Sequence, residues 1–359
     1  MEENERLWKK IFHKSKIYPI VLLLLCYAVY KYRNRQVEEQ TPQQELINGF
    51  VYNNGMCTIE GETMGHIPFT IKYIADNRNY EKEIKNLLID FNQTFSTYIP
   101  ESEISIFNQS DFVCNVSERF LFVLAEAKKI ARNTNNYFDP TVMPLVNAWG
   151  FGYKKPQDTL PSSGEIDSIM LYVGVDKLTV KDACLYKTHP KLQLDFSAIA
   201  KGYASDVVAK FLDGKNIHDY MVEIGGEVVC KGKNSKKKTW RIGIEEPNQS
   251  KRSVVLAIPL HNKAIATSGN YRNFYQKEGK KYGHTINPHT GKVAATDMLS
   301  VSVIANTCLE ADAYATAFMA MGATKAIKNS EQRNDLEVYF IYSDKQELKQ
   351  YKSQGFEKE

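Results

Sequence analysis

The sequence predicts a mixed α+β fold with largely antiparallel sheets and packed helices, preceded by one N-terminal membrane-anchor helix. Apolar residues recur at helical spacing in some segments, whereas β-branched runs bounded by turn residues indicate strands in others. The two kinds of segment are interspersed without a regular strand–helix–strand period, which favours α+β over a doubly wound parallel sheet. With 43% hydrophobic and 25% charged residues among 359, the chain has enough apolar content for a sizeable core.

The N-terminal segment differs from the rest of the chain in charge and hydropathy. Residues 1–35 hold eight Lys/Arg and three Glu around an uncharged apolar run, Ile17–Tyr30. That run is shorter than the roughly 20 residues of a typical spanning helix, but no small-residue cleavage site follows it. Leu25 precedes Cys26 where a lipoprotein signal has a small residue. We therefore predict an uncleaved signal anchor in the cytoplasmic membrane, followed by a polar tether at 36–50.

The predicted anchor also sets the orientation of the chain. The basic residues suggest a cytoplasmic N-terminus, and the long body can cross the membrane regardless of its own charge, so we expect the body of the chain on the extracytoplasmic side. Outside residues 1–35 the charges balance to within one unit. Such a body lacks the basic surface that nucleic acid requires, and no nucleic-acid partner is expected.

Six cysteines are spread widely along the chain, at positions 26, 57, 114, 184, 230 and 308. No Cys-x-x-Cys pair occurs, which argues against a thiolate zinc or iron–sulfur site. The spacing suggests no disulfide pairing, so free and mostly buried thiols are expected.

The first half of the predicted domain, which spans residues 51–345, starts with strands and continues with helices. Val51–Glu60 and Phe69–Ile74 have strand composition around a turn containing Gly61–Gly65. Apolar residues at helical spacing predict helices at Tyr80–Phe95 and Ser117–Arg132, the second with Ser117 as its N-cap.

Two segments of this half lack a regular pattern. Ser96–Asn108 is polar and is predicted to be irregular, and Asn133–Gly152 contains prolines and glycines typical of a structured loop. Beyond them, Leu192–Phe196 is predicted as a strand leading into a helix at about Ala198–Leu212 with Ser197 as its cap.

The second half of the domain is mostly β-structure with one further helix. A polar tail is predicted at 346–359. The predicted elements are strands at Tyr220–Cys230, Ser253–Leu260, Leu299–Ala305 and Leu336–Tyr342, and a helix at Glu310–Met321.

Asp312 and Thr316 lie four residues apart in this last helix, among alanines. That spacing places a carboxylate and a hydroxyl on one helix face, one turn apart. Oxygen ligands of this kind suit Mg²⁺, which takes one or two carboxylates and completes its shell with water or phosphate. The alternative is a solvent-facing polar pair near a helix N-terminus.

A second polar cluster lies where the predicted strand Leu192–Phe196 meets its helix. Asp195 ends the strand, and Lys201 follows about one helical turn into the helix. A helix N-terminus attracts phosphate, and a lysine adds a cation. Taken alone, an ordinary N-terminal charge and a surface lysine are equally compatible.

His284 lies among turn residues, and Gly225-Gly226 ends a predicted strand. On a loop the histidine could serve as a general base, although a lone histidine is more often only a hydrogen-bonded polar residue. The two glycines permit close backbone approach, but a simple turn also explains them.

Taken together, these segments resemble the FAD:protein FMN transferase (ApbE) family, over about residues 55–345 and in the family's order. Any one motif is weak, but nine in sequence are strong evidence. The matching stretches are Thr63–Gly65, Ser96–Ser105, Phe138–Gly152, Leu194–Asp206, Glu223–Glu227, Trp240–Pro247, Thr267–Tyr271, His284–Gly291 and Ala311–Ala317.

The resemblance implies an enzyme that cleaves the FAD pyrophosphate with Mg²⁺, releases AMP and attaches FMN through phosphate to a threonine of a target flavoprotein. It implies that Asp312, Thr316 and the carbonyl of Ala198 bind the metal, and that His284 activates the threonine. The implied lining of the FAD site is Met64, Tyr98, Tyr137, Phe138, Asp139, Asp195, Lys201 and Ile286.

The family's acceptor motif, Asp-Gly-x-Ser/Thr-Gly-Ala-Thr, does not occur in this chain, so the expected partner is another protein. Two other functions are compatible with the same residues. One is an FAD pyrophosphatase that uses water in place of the threonine, and the other is a non-catalytic, membrane-tethered FAD-binding protein. The residues alone do not choose among the three; the resemblance favours the transferase.

Overall fold

The computed structural model describes residues 49–357, except 154–159, 183, 248–253, 270–273, 278–279, 295 and 346. For 274–277 and 280–282 only the backbone is described. The predicted anchor, residues 1–35, and the tether up to residue 48 lie outside the described residues. No helix in the described part of the chain is long and apolar enough to span a bilayer.

A nine-stranded sheet forms the centre of the domain, and every neighbouring pair of its strands is antiparallel. Its order is β1-β2-β3-β7-β8-β11-β16-β17-β18. Smaller sheets are β4-β6-β5, β9-β10, β12-β13 and β14-β15. The strands are β1 (Gly49–Asn53), β2 (Met56–Thr63), β3 (Ile67–Ile74), β4 (Phe112–Cys114), β5 (Leu178–Lys181), β6 (Cys184–Lys187), β7 (Tyr220–Ile224), β8 (Glu227–Lys231), β9 (Trp240–Glu245), β10 (Val254–Leu260), β11 (Lys263–Gly269), β12 (Phe274–Lys277), β13 (Lys280–Gly283), β14 (Ile286–Asn287), β15 (Lys292–Val293), β16 (Met298–Ala305), β17 (Glu337–Asp344) and β18 (Glu347–Lys352).

Helices pack on the central sheet and confirm the predicted mixed fold with antiparallel sheets. The described helices are α1 (Glu81–Phe95), α2 (Glu103–Gln109), α3 (Glu118–Asn133), α4 (Met143–Ala148), α5 (Ser163–Met170), α6 (Ser197–Gly214), α7 (Cys308–Met321) and α8 (Ala323–Ser330). The N-cap predicted for α3 is confirmed, since the Ser117 side chain accepts a hydrogen bond from the Phe120 amide.

The sheet is covered on both faces. One face packs against the helices through a large core that includes Phe91, Phe120 and Phe196. The other face packs against β9 and β10 through Trp240 and Ile258. The central strands are therefore buried on both sides, and nearly every residue of β16 is inaccessible.

The alanine-rich helix α7 is buried nearly all round, between α6 and strands β11 and β16. Small side chains let its backbone approach α6 closely. A Cβ at Gly202 of α6 would lie 2.2 Å from the Cys308 carbonyl oxygen, so this position requires glycine. The contact fixes the N-terminal turn of α7 against α6.

Several predicted elements differ in detail from the structure. Val51–Glu60 is two strands, because Asn54 and Gly55 adopt positive φ and form a hairpin turn. The segment predicted to be irregular, Ser96–Asn108, contains most of α2, and the predicted loop Asn133–Gly152 contains α4. Both helices are short, six or seven residues, and give little periodic signal.

The predicted strand Leu192–Phe196 forms one isolated bridge, between Gln193 and Val142, and belongs to none of the described sheets. The Asn108 side chain donates to the Leu194 carbonyl and accepts from its amide, and the Asp195 amide donates to the Pro140 carbonyl. A side chain and a loop therefore take the place of a neighbouring strand. Helix α6 starts at Ser197, and Asp195, rather than the predicted cap Ser197, accepts a hydrogen bond from the first helical amide.

The predicted polar tail is wrong for the described part of 346–359. Residues Glu347–Lys352 form the edge strand β18, and Phe356 is fully buried against the sheet. The charged composition that suggested a tail is typical of an edge strand, where exposed charges discourage pairing with another chain.

The prediction of free thiols is wrong for two cysteines. Cys114 of β4 and Cys184 of β6 are directly opposite each other in the small sheet and form a disulfide. They are 70 residues apart, so spacing gave no sign of the pairing. Cys57, Cys230 and Cys308 are free and buried, as predicted. Closing a loop of this length typically stabilises a fold by about 2–4 kcal/mol.

Candidate active site

A cleft of about 1120 Å³ opens where α6, α7, the β7–β8 hairpin and β9 meet. Every residue predicted from the sequence to bind metal or FAD, or to act as the base, contributes to its lining. The twelve are Met64, Tyr98, Tyr137, Phe138, Asp139, Asp195, Ala198, Lys201, His284, Ile286, Asp312 and Thr316. The structure thus brings together residues spread over some 250 positions of the chain, although their individual roles remain predictions.

Asp312 is held rigidly at the floor of the cleft. Its side chain is almost fully buried, and its Oδ2 accepts a hydrogen bond from the Gly202 amide at 3.0 Å. In a regular helix that amide would bond to the carbonyl four residues earlier, at Ala198. Asp312 therefore competes for this amide and leaves the Ala198 carbonyl oxygen better able to accept another ligand.

The start of α7, one turn before Asp312, is capped by α6. Asp206 accepts hydrogen bonds from the amides of Cys308 and Leu309, at 2.9 and 2.8 Å. Thr307 accepts from the Glu310 amide and completes the cap. Burial raises the pKa of Asp206 to about 7, although the two amide hydrogen bonds oppose this. The sequence gave no signal for this contact, because the partners are 102 residues apart.

Lys201 lies between two buried carboxylates. Its Nζ is 3.5 Å from Asp312 Oδ1 and 3.2 Å from Glu227 Oε1. Burial alone would lower the pKa of Lys201, but the two carboxylates outweigh it and raise the pKa above its usual range. Burial raises the pKa of Glu227 to about 8, against the lowering effect of Lys201.

Glu227 is the site residue that sequence reasoning missed. It ends the motif Glu223–Glu227, but nothing in the spacing connects it to Lys201. The Gly225–Gly226 turn brings it there, and both glycines have positive φ. A Cβ at Gly225 would lie 3.1 Å from Lys201 Cδ. The glycine therefore allows the backbone of this turn to pass close to the lysine side chain, as the sequence suggested.

Two hydroxyls complete this corner of the cleft. Thr316, one turn after Asp312, lies with its Oγ1 3.4 Å from the Ser268 Oγ. No cluster of three or more His, Cys, Asp or Glu side chains suited to a metal occurs in the described part of the chain. The donors here are one carboxylate, hydroxyls and a carbonyl, and they fit a hard cation that completes its shell with phosphate oxygens and water.

Other residues of the cleft lining are apolar and aromatic. Phe138 and Ile286 are buried, while Tyr98 is 72% exposed at the rim. Met64 adopts a positive φ of 50° in the turn after β2, which faces the cleft. Such walls suit flat ring systems.

Two of the predicted FAD-site carboxylates bond to the protein's own backbone. Asp139 accepts hydrogen bonds from the Thr141 amide and hydroxyl and from the Val175 amide. Asp195 accepts one from the Ser197 amide. Burial raises the pKa of both carboxyls. The structure therefore indicates that Asp139 orders the loop that forms one wall of the cleft.

His284 is exposed on the cleft, beside the buried Thr285 and Ile286. Its segment continues into β14, and the Gly291 carbonyl beyond it accepts a hydrogen bond from the Trp149 indole at 2.8 Å. The histidine is thus an accessible side chain on an anchored segment, which a general base requires.

One cleft thus combines a lysine held between two carboxylates with apolar and aromatic side chains, and it suits a ligand that has both phosphates and a flat ring system. The comparisons with known proteins agree: a model of the ApbE family matches residues 64–340, and the chain belongs to this family.

Its curated relatives are named FAD:protein FMN transferase. The one from Vibrio cholerae is 40% identical, covering 83% of this chain and 91% of the relative, and the one from Haemophilus influenzae is 38% identical, covering 80% and 86%. Among solved structures, the V. cholerae flavin transferase ApbE superposes with a TM-score of 0.77 at 38% identity, over 84% of this chain and 98% of that one. The apo Pseudomonas stutzeri flavinyl transferase ApbE superposes with a TM-score of 0.76 at 28% identity, over 84% and 95%.

The Asp206 cap predicts a pH-dependent stability. Because the folded-state pKa of about 7 exceeds the roughly 3.9 of an unfolded aspartate, the folded chain binds this proton more tightly. The group's stabilising contribution is therefore complete below pH ~4 and is lost as the pH rises to about 7. Asp206→Asn is expected to lower the free energy of unfolding by about 1–3 kcal/mol, because one backbone amide loses its acceptor. It is also expected to abolish the pH dependence that Asp206 contributes.

Chemical denaturation of wild type and variant at pH 5 and pH 8 checks this prediction. The free energy of unfolding of the variant is expected to fall further below that of the wild type at pH 5 than at pH 8. Asp90→Asn, which removes an exposed partner of Arg119, is the matched control and is expected to cost less than about 1 kcal/mol. A gap that is constant or grows with pH would show that Asp206 is ionised throughout.

Proposed function

We propose that this chain is a Mg²⁺-dependent flavin transferase, which cleaves FAD, releases AMP and attaches FMN through its phosphate to a threonine of a target flavoprotein. The observation that carries the proposal is one cleft whose lining combines the Asp312–Lys201 corner with apolar and aromatic side chains. Family membership and the names of the relatives support flavin transfer. Mg²⁺ dependence and the threonine acceptor are the proposal's own extension.

The metal would be held by Asp312, Thr316 and the carbonyl of Ala198. Asp312 is preorganised for this, because the Gly202 amide fixes Oδ2 and leaves Oδ1 facing Lys201. Bound there, Mg²⁺ would neutralise charge on the pyrophosphate oxygens.

The remaining residues orient the substrate. Lys201 supplies a positive charge between Asp312 and Glu227 and suits a phosphate oxygen. Met64, Tyr98, Phe138 and Ile286 offer apolar or aromatic surface to the ring systems. The Asp312 and Glu227 side chains are buried, so solvent screens their charge interactions less than it would at the surface.

His284 is proposed as the base. A threonine hydroxyl is a weak nucleophile until its proton is accepted. As the Thr Oγ–P bond forms and the bridging P–O bond breaks, AMP leaves with the electron pair and the hydroxyl proton passes to the imidazole. The exposed position of His284 leaves access for a protein substrate from solvent.

The full-length chain, incubated with FAD, Mg²⁺ and a flavoprotein subunit carrying the threonine motif, is expected to add the mass of FMN to that subunit and to release AMP. Asp312→Ala is expected to reduce transfer at least ~100-fold, since it removes the carboxylate that holds the cation. Mass spectrometry of the acceptor and chromatography of the nucleotides measure both products. The matched control is the acceptor with its threonine changed to alanine.

The same experiment separates the alternatives. AMP and free FMN formed equally without acceptor would identify a pyrophosphatase. FAD that binds but stays intact with Mg²⁺, unaffected by Asp312→Ala, would identify a binding protein.

His284→Ala is expected to slow transfer by about 10²–10⁴-fold with FAD affinity unchanged, because the histidine acts on the acceptor's proton rather than on the dinucleotide. Single-turnover transfer rates and FAD titration measure the two quantities. His218→Ala, which removes an exposed histidine paired with Asp213, is the control and should transfer at the wild-type rate. Equal loss of FAD binding and rate in His284→Ala would assign it to the FAD site.

We also propose that the domain works on the extracytoplasmic side of the cytoplasmic membrane, anchored by the apolar run within residues 1–35. The Cys114–Cys184 disulfide supports this, because disulfides persist in oxidising compartments. Protease added to spheroplasts is expected to digest the domain, and thiol alkylation before reduction is expected to leave both cysteines unlabelled. A protease-protected domain with both thiols alkylated would place it in the cytoplasm.

A further inference from the structure

The corner around Lys201 contains one cation for two carboxylates. The side chains of Asp312 and Glu227 are only 4% and 5% exposed, and both pair with the same ammonium. Two buried carboxylates and one lysine leave an uncompensated negative charge when all three are ionised, which is costly in a protein interior. With both carboxylates ionised, the corner is therefore short of one positive charge.

Glu227 also has an unused oxygen. Its Oε2 is buried and accepts no hydrogen bond from any described residue, whereas Oε1 contacts Lys201. A buried acceptor without a donor costs about 1–3 kcal/mol. Glu227 lines the cleft, so this oxygen is available to accept a hydrogen bond or a cation at the edge of the substrate site.

Lys201 can move between the two carboxylates. Its contacts of 3.5 and 3.2 Å are longer than the roughly 2.7–2.9 Å of a tight charged hydrogen bond, so neither is fully formed. Gly225 leaves room beside the lysine stem, with no Cβ to block it. Asp312 cannot follow the lysine, because the Gly202 amide holds its other oxygen.

We propose that Glu227 is a positioning residue that receives the Lys201 ammonium when Mg²⁺ takes the Asp312 carboxylate. This inference rests on the proposed metal site. In the metal-free protein the lysine shares Asp312 Oδ1 and partly neutralises it. Glu227 provides a second ion-pair partner for Lys201. Less free energy is then lost when the metal replaces the lysine at the Asp312 carboxylate.

The test is titration of the FAD-free, full-length protein with Mg²⁺ by calorimetry. Glu227→Gln is expected to weaken Mg²⁺ binding about tenfold, because Lys201 then has Asp312 as its only charged partner and competes harder for it. The variant should fold, since the remaining Lys201–Asp312 pair is neutral. Lys201→Met combined with Glu227→Gln removes the competitor and is expected to restore Mg²⁺ affinity to the wild-type level or above.

The control is Glu126→Gln, which removes a carboxylate that pairs with Lys129 outside the cleft lining and is expected to bind Mg²⁺ like the wild type. Unchanged Mg²⁺ affinity in Glu227→Gln, with Asp312→Asn weakened, would overturn the exchange and leave the metal site standing. Equal binding by Asp312→Asn and wild type would overturn both. Because no flavin is transferred in this titration, failure of transferase activity would not affect its result.

Discussion

The close packing of α7 on α6 is the constraint on which the rest of the site depends. Gly202 lets the helices touch, Asp206 caps the start of α7, and the Gly202 amide then meets Asp312. The Asp206 and Asp312 contacts each join a side chain of one helix to backbone of the other. Backbone amides move far less than side chains, so the carboxylate at the floor of the cleft is placed by the fold itself, before any ligand arrives.

The central sheet supplies the rest of the geometry. Strand β11 ends at the Ser268–Gly269 side of the cleft, and the β7–β8 hairpin brings Glu227 up to Lys201. Because β16 and α7 are buried on all sides, small shifts there would disturb many packed side chains. A rigid, buried frame with exposed residues such as Tyr98 and His284 at its rim suits a site whose two substrates differ greatly in size.

The features that could be predicted from the sequence are those that depend on residues close together in the chain. The spacing of Asp312 and Thr316 correctly placed both on one face of a helix. The family resemblance, rather than spacing, assigned Lys201 to the same site, and all three residues line the cleft. Contacts that depend on long-range register were not predictable: Glu227 with Lys201, Asp206 with the start of α7, and Cys114 with Cys184. Short helices such as α4 and the charged edge strand β18 were missed for a different reason, since each lacks the apolar periodicity that identifies an element.

The disulfide has a consequence for how the protein matures. The covalent loop between Cys114 and Cys184 contains Tyr137, Phe138 and Asp139, which form one wall of the cleft, but none of α6, α7 or the central sheet. A newly made, reduced chain can thus fold its central sheet, α6 and α7 before the disulfide closes the loop that contains this wall. The complete ligand cleft would then form only after oxidation, later than the helices and sheet that support it.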